Sequence, residues 1–253
     1  MYSLGGELFK SPQKKYKEVI FFVHFYEGNK RALRRHIEFV NELGFDAFAF
    51  NLKGGRYRWR DIKRNPQVDF PLSKKNAFGI KHVYADQIEM MLNQVAGDKI
   101  IFAFSNPSAS AIEAMARRNC SDVKALICDS GPSAKFIQSA YNLYTHDWKL
   151  KPLPLRVALT PFLSFGWSLH LHRDIHLDLS RFPQNFPILS IRGWKDPLIP
   201  PDHIDRVFEP HSNIQWQKLS LPEAGHLNGL KDFADEYQPG VQRFLSEVAT
   251  RVD

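Results

Sequence analysis

The chain has 253 residues, of which 43% are hydrophobic and 24% are charged, and its formal net charge is +7. This composition is ordinary for a globular protein and excludes a disordered chain, and the length suits a single domain that mixes helices and strands. The two cysteines are too few for a disulfide framework, which favours a reducing cytoplasm.

Short apolar runs alternate with segments of helical periodicity. The apolar runs predict strands, because strands buried on both faces of a parallel sheet are nearly continuous in apolar residues. Predicted strands cover residues 18–24, 45–50, 99–104, 123–128, 187–193 and 214–219. Predicted helices cover residues 31–43, 82–95, 107–118, 202–208 and 234–248. This alternation predicts an α/β fold, with a mostly parallel sheet and helices on both faces.

Two segments depart from the alternation. Residues 132–184 are rich in Pro, His, Trp and Leu without a clear period, and we predict a cap insertion within one domain spanning residues 1–253. The apolar stretch 153–171 is interrupted by prolines and Arg156, so no membrane span is expected. Residues 56–64 mix arginines with aromatic residues, but no nucleic-acid-binding motif accompanies them, so we interpret them as a solvated loop.

A serine follows the third central strand. Residues 103–111 read Ala-Phe-Ser-Asn-Pro-Ser-Ala-Ser-Ala, with Ser105 directly after the strand and small residues at Ala103, Ser108 and Ala109. Small residues around a serine allow the sharp strand-to-helix turn of a nucleophile elbow. Pro107 suits the first turn of a helix, and the helix start favours an oxyanion near Ser105. Ser108 is the competing nucleophile, but it would make the strand two or three residues too long.

A base and an acid follow later strands. His226 lies in the loop Ala-Gly-His-Leu after the strand 214–219, and Asp196 follows the strand 187–193 in Gly-Trp-Lys-Asp-Pro. A serine needs such a base, and the base needs an acid to fix its tautomer. Asp129, after the strand 123–128, is a second candidate for the acid. The order Ser, Asp, His is the order found in α/β-hydrolases.

On these motifs the chain resembles an α/β-hydrolase-fold serine hydrolase of the esterase or lipase type over nearly its whole length. The segment from Val23 to Tyr26 resembles the family's His-Gly loop, and residues 45–55 resemble its next strand and loop. The resemblance implies that the backbone N–H groups of Tyr26 and Asn106 form the oxyanion hole. Three positions depart from the family pattern: Phe25 and Pro107 replace glycine, and Asn51 replaces aspartate.

The remaining candidates concern ligands. His170, His172, Asp174 and His176 can bind metals, but we interpret them as a polar edge of the cap, so no metal and no cofactor is expected. Cys128 is interpreted as a small core residue. Aromatic residues of the cap could form an acyl pocket or could be ordinary packing, and we assign the pocket to Phe25, Phe162, Phe165 and Trp167.

The sequence therefore predicts a hydrolase of carboxylic esters whose partner is a small, apolar acyl substrate, with Ser105, Asp196 and His226 as its triad. Two alternatives stay open. One is a hydrolase-like protein without catalysis that binds a ligand or partner beneath the cap. The other is a thioesterase, amidase or acyltransferase with the same triad.

Overall fold

The computed structural model of the protein describes residues 3–53, 79–168 and 170–252, so the basic segment 56–64 and the last two residues of the segment 45–55 lie outside the described residues. A seven-stranded sheet forms the centre, in the order β1-β3-β2-β4-β5-β6-β7. Its strands are β1 (Glu7–Phe9), β2 (Val19–Val23), β3 (Asp46–Ala49), β4 (Lys99–Phe104), β5 (Val123–Asp129), β6 (Phe186–Gly193) and β7 (Ile214–Leu221). Strand β1 pairs with β3 in the antiparallel sense, and every other pair is parallel.

Helices cover both faces of the sheet. They are α1 (Arg34–Leu43), α2 (Ile80–Leu92), α3 (Pro107–Arg117), α4 (Phe136–Asn142), α5 (Leu153–Trp167), α6 (Leu171–Leu179), α7 (Pro201–Phe208), α8 (Gly229–Asp232) and α9 (Ala234–Val248). The predicted α/β fold is confirmed, because each predicted strand and helix has a counterpart here. The structure adds the edge strand β1, the short helix α8 and, within residues 132–184, the helices α4, α5 and α6, which the sequence patterns did not reveal.

The core lies in two layers, one on each side of the sheet. One layer joins β2 and β4 to α2, α3, α6 and α7, and the other joins them to α1, α8 and α9. All five residues of β2 and all six of β4 are buried, as expected for strands covered on both faces. Parallel strands end at one edge of the sheet, so the loops after β2, β4, β5, β6 and β7 meet there.

The segment between β5 and β6 is mostly helical. It contains α4, a π-helical turn at Leu143–Asp147, α5 and α6. Helix α6 packs on α3, whereas α5 packs on α4 and α2. Among the described residues, no helix is long and apolar enough to cross a membrane.

Candidate active site

Ser105 lies in a strained turn between β4 and α3. Its φ of 56° falls in the left-handed region, which costs a non-glycine residue on the order of 1–3 kcal/mol. The turn is held because the backbone N–H of Ser105 donates to the carbonyl oxygen of Asp129 at 2.8 Å. Helix α3 then begins at Pro107, at a position where the missing N–H of proline has no intrahelical partner. Backbone strain of this kind is typical of functional sites.

A glycine that follows the neighbouring strand makes this turn possible. A Cβ atom on Gly131 would lie only 2.4 Å from the carbonyl oxygen of Ser105 and 2.8 Å from its Cα. Gly131 therefore allows the loop after β5 to press directly against the turn. The sequence motif around Ser105 gave no indication of this contact, because the glycine belongs to a different loop.

The structure brings Ser105, His226 and Asp196 together in one hydrogen-bonded chain. Nδ1 of His226 lies 2.7 Å from Oδ2 of Asp196, and Nε2 lies 3.1 Å from Oγ of Ser105. An ionised carboxylate only accepts hydrogen bonds, so Nδ1 carries the proton and Nε2 is free to accept from the serine hydroxyl. The other oxygen of Asp196 accepts the backbone N–H groups of Leu198 and Ile199, at 2.8 and 2.9 Å. These two bonds fix the carboxylate in place.

The loop that carries His226 is held from both sides. Gly193, at the end of β6, lies so close that a Cβ there would be 2.3 Å from the carbonyl oxygen of Ala224. The side chain of Asn228 accepts the N–H of Gly225 at 2.8 Å, and the hydroxyl of Ser130 accepts the N–H of Leu227 at 3.2 Å. The backbone on each side of His226 is thus anchored.

Asp129, the alternative acid, has other partners. Its carboxylate accepts the hydroxyl of Tyr237 at 2.7 Å and that of Ser130 at 2.9 Å. Burial raises the pKa of the Asp129 carboxyl to about 6, although both hydroxyl bonds oppose that rise. Asp129 is therefore linked to the His226 loop through Ser130, whereas Asp196 contacts the imidazole itself.

Ser108, the alternative nucleophile, is not placed to react. It lies inside α3 and is fully buried. The hydroxyl that meets His226 is that of Ser105. The structure therefore agrees with the shorter strand that the sequence favoured.

The two backbone N–H groups named for the oxyanion hole are available. In the described part of the chain, no acceptor takes the N–H of Tyr26 or of Asn106. The carbonyl oxygen of Phe25 lies 2.7 Å from Nδ1 of His24 and accepts the N–H of Gly28 at 3.0 Å. Since C=O and N–H point in opposite directions across a trans peptide, these contacts aim the Tyr26 N–H away from the loop.

His24 has a definite protonation state. Its Nε2 accepts the backbone N–H of Leu52 at 2.8 Å, which leaves the proton on Nδ1, facing the Phe25 carbonyl. Burial lowers the pKa of the His24 imidazole, and this favours the neutral ring that both contacts require. His24 thus links the loops after β2 and β3. The sequence had marked His24 only as part of a resemblance.

A cavity of about 290 Å³ opens beside Ser105. Its walls are mainly apolar, with Phe25, Tyr26, Phe136, Ala140, Leu143, Leu163, Trp167, Leu198, Ile199 and Leu227, and its polar lining is Glu27, Ser105, Asn106, Ser139, Asp147 and His226. Trp167 stacks on Phe136, with ring centroids 5.5 Å apart, and meets the ring of Tyr26 edge-on. The bulky Phe25 ring lies close to Gly28, where a Cβ would meet it at 2.9 Å, and Phe25 also forms part of the cavity wall.

The structure separates the four residues that the sequence assigns to the pocket. Phe25 and Trp167 line the cavity beside Ser105, whereas Phe162 and Phe165 do not line it. Their side chains are 73% and 56% exposed on the outer side of α5. Leu163 and Trp167 are four residues apart and share the inner face, while Phe162 and Phe165 lie off it. Sequence reasoning missed Phe136 and Leu163, because the orientation of α4 and α5 is not visible in the sequence, and it missed Leu198, which lies in the loop between β6 and α7.

The next feature is the placement of side chains that could bind a metal ion. Within them, no three side chains of His, Cys, Asp or Glu form a group that could hold an ion. His176 contacts the ring of His211, with Nδ1 and Nε2 2.9 Å apart. Cys120 and Cys128 are free and buried, and burial raises the pKa of both thiols.

Known structures share this architecture. A crystallised esterase of Pyrococcus furiosus has a TM-score of 0.67 at 16% identity, over 96% of this chain and 85% of its own. A monoacylglycerol lipase of Paleococcus ferrophilus scores 0.64 at 17% identity, over 97% of this chain and 99% of its own. An α/β-hydrolase enzyme from a deep-sea metagenome, MGS-M2, has a TM-score of 0.60 at 15% identity, over 98% of this chain and 95% of its own.

These similarities establish that the chain has the α/β-hydrolase fold, as the sequence motifs had indicated. The sequence matches no established family profile and no curated protein.

Proposed function

We propose that this protein is a serine hydrolase that cleaves carboxylic esters through an acyl-enzyme, with Ser105 as nucleophile, His226 as base and Asp196 as its orienting acid. The observation that carries the proposal is the continuous hydrogen-bonded chain from Asp196 through His226 to Ser105. The esterase and lipase among the structural neighbours are consistent with it.

The first half of the reaction forms the acyl-enzyme. His226 removes the hydroxyl proton of Ser105 through Nε2 as Oγ attacks the ester carbonyl carbon. The resulting imidazolium keeps its Nδ1–H on Asp196, which stabilises the new positive charge. His226 then gives the proton to the departing alcohol, and the C–O bond of the ester breaks.

Charge on the carbonyl oxygen is stabilised by groups that are already in position. The N–H groups of Tyr26 and Asn106 are unused in the described structure and flank the cavity beside Ser105. Asn106 also stands at the start of α3, where the helix dipole favours negative charge. One donor of this kind contributes about 3–4 kcal/mol to the transition state in a well-studied protease.

Water completes the cycle without a cofactor. His226 takes a proton from water as it attacks the acyl carbonyl, and the carboxylic acid leaves as Ser105 regains its proton. We assign the acyl group to the apolar cavity, between Phe25 and Trp167. Residues 132–184 serve as the cap over this site, since α4, the π-helical turn and α5 supply much of its wall. The two free cysteines suit a reducing cytoplasm.

A fluorophosphonate probe tests the nucleophile. It should label the wild-type protein and not Ser105→Ala, because only an activated serine attacks phosphorus. Ser108→Ala is the matched control, since it removes the same atom three residues away and should still be labelled. Failure of the wild type to react, despite a folded chain, would favour the alternative of a ligand-binding protein without catalysis.

Esters of p-nitrophenol, from acetate to palmitate, test the substrate class. Each added methylene should raise kcat/KM about three- to fourfold until the cavity is full, since burying one CH₂ contributes about 0.8 kcal/mol. Trp167→Ala should move the preferred chain length upward, because it opens the cavity wall. If kcat/KM does not change with chain length in either the wild type or Trp167→Ala, the acyl pocket is removed from the proposal. Parallel assays with thioesters and amides distinguish esterase from thioesterase and amidase activity.

A further inference from the structure

Helix α5 exposes many of its apolar side chains. Five large ones are exposed to solvent, namely Leu153, Leu155, Val157, Phe162 and Phe165. The buried side of the helix carries Trp167 together with the hydroxyl groups of Thr160 and Ser164. Each hydroxyl donates to a carbonyl oxygen four residues earlier in the same helix, at 2.8 and 2.9 Å, so neither needs water. A contiguous exposed apolar face indicates a binding surface.

The apolar surface extends beyond the helix. Ile137 on α4 is 60% exposed, and a shallow depression that it lines with Val157 and Pro161 joins the two helices. Trp148 precedes α5 and is also exposed. We call this surface, from Ile137 and Trp148 across the outer side of α5 to Phe165, the α5 face.

Positive charge borders the α5 face. Between Asp147 and Asp174 the sequence has no acidic residue. It has basic residues there at Lys149, Lys151, Arg156 and Arg173. Lys149 and Lys151 are exposed at the start of α5 and form no ion pair with any described residue. Lysines beside Leu, Phe and Trp characterise helices that lie in the interface of an anionic bilayer.

We propose that the α5 face binds the surface of an anionic lipid membrane, with the axis of α5 parallel to the bilayer. The apolar side chains enter the headgroup region, while Lys149 and Lys151 meet lipid phosphates. Lipid is favoured over a protein partner because Lys149 and Lys151, which form no ion pair with a described residue, border an apolar surface, and the sequence between Asp147 and Asp174 has no acidic residue. The inner side of α5 lines the cavity beside Ser105, so binding sets that cavity next to the lipid.

Sedimentation with vesicles tests this inference. Wild-type protein should sediment with vesicles of phosphatidylcholine and phosphatidylglycerol, and more weakly with phosphatidylcholine alone. The double variant Phe162→Gln, Phe165→Gln should lower the partition coefficient at least about tenfold, because two rings no longer enter the lipid. Lys149→Gln and Lys151→Gln should each lower binding to anionic vesicles about fivefold and weaken its salt dependence.

Two controls separate lipid binding from other effects. Met90→Gln also replaces an exposed apolar side chain, but Met90 lies in the last turn of α2. The opposite end of α2, at Gly79, is the one that meets Trp167 of α5. The Met90→Gln variant should therefore bind vesicles like the wild type. Ser105→Ala should bind vesicles fully, because the inference does not depend on catalysis. Hydrolysis of p-nitrophenyl acetate should be unchanged in the Phe162 and Phe165 variants, which lie outside the cavity.

A fluorescent label reports on the face directly. Phe162→Cys can be labelled selectively with a nitrobenzoxadiazole dye, since Cys120 and Cys128 are buried. The dye should be quenched by iodide in solution and shift to the blue when anionic vesicles are added. A dye already shielded in solution, or one that no vesicle shifts, overturns the inference. So does self-association, seen by light scattering, that the double variant abolishes, since the face is then a protein interface.

Discussion

Gly131→Ala should damage the site without touching any group that takes part in the reaction. The new Cβ would lie 2.4 Å from the carbonyl oxygen of Ser105, and ordinary contact begins at 3.4 Å, so the two segments must separate by 1.0 Å. Ser105 is already strained, at a φ of 56°, and its N–H is bonded to the end of β5, just before Gly131. The displacement therefore reaches the nucleophile.

The size of the effect follows from that displacement. A misplacement of about 1 Å in a catalytic group can cost about 10²-fold in rate, so kcat/KM should fall by about two orders of magnitude. Overpacking should also lower the free energy of unfolding by about 1–3 kcal/mol. The hydrogen bond from Ser105 to Nε2 of His226, 3.1 Å in length, is the contact that the shift disturbs.

The assay compares Gly131→Ala with Gly166→Ala. Gly166 lies in α5, and a methyl group added there would meet no atom within 4 Å, so alanine should preserve activity and stabilise the helix by up to about 1 kcal/mol. Rates are normalised to the concentration of sites labelled by the fluorophosphonate probe, and urea denaturation gives the stability. If Gly131→Ala keeps its rate within about threefold, the chain absorbs the contact elsewhere and the reasoning is refuted.

Three further perturbations test the environment of the site. Asp196→Asn should lower kcat about 10⁴-fold with little change in substrate binding, as in a related triad, whereas a larger loss in Asp129→Asn would transfer the acid to the earlier strand. The pKa of Asp129 rises on folding from 3.8 to about 6, so the folded state binds the proton more tightly and stability is lost as pH rises through that window. Asp129→Asn should remove that loss, which amounts to at most about 3 kcal/mol, and urea denaturation on either side of the window measures it. Lys81→Met should destabilise the protein by about 3–5 kcal/mol, because the fully buried Lys81 ammonium lies 3.0 Å from the buried Glu113 carboxylate. If charge is the cause, adding Glu113→Gln should recover part of the lost stability, as measured by thermal unfolding.

Much of the sheet could be predicted from sequence, because burial on both faces leaves a local signature. The bounds of β4 and α9 were predicted to the residue, since β4 is apolar from Ile100 to Phe104 and α9 follows the helical period. The edge strand β1 was missed because it has three residues, one exposed and two partly buried, so no apolar run marks it. Strand β1 is recognised as a strand only by its pairing with β3.

The order of Ser105, Asp196 and His226 could also be read from sequence, because each follows a strand and parallel strands end at one edge. The sequence favours Asp196 as the acid but leaves Asp129 as a second candidate, since both lie at the ends of strands. Only the tertiary structure shows their partners: Nδ1 of His226 lies against Asp196, while Tyr237 and Ser130 donate to Asp129.

The orientation of α5 and the contact at Gly131 were decided only by the tertiary structure. A sequence pattern places apolar residues inward by default, whereas in α5 Phe162 is exposed and Ser164 is buried on the same side as Trp167. Gly131 matters because its backbone approaches that of Ser105, a residue 26 positions away that follows another strand. Local patterns record how a segment is buried, whereas orientation and close approach arise only when the segments pack together.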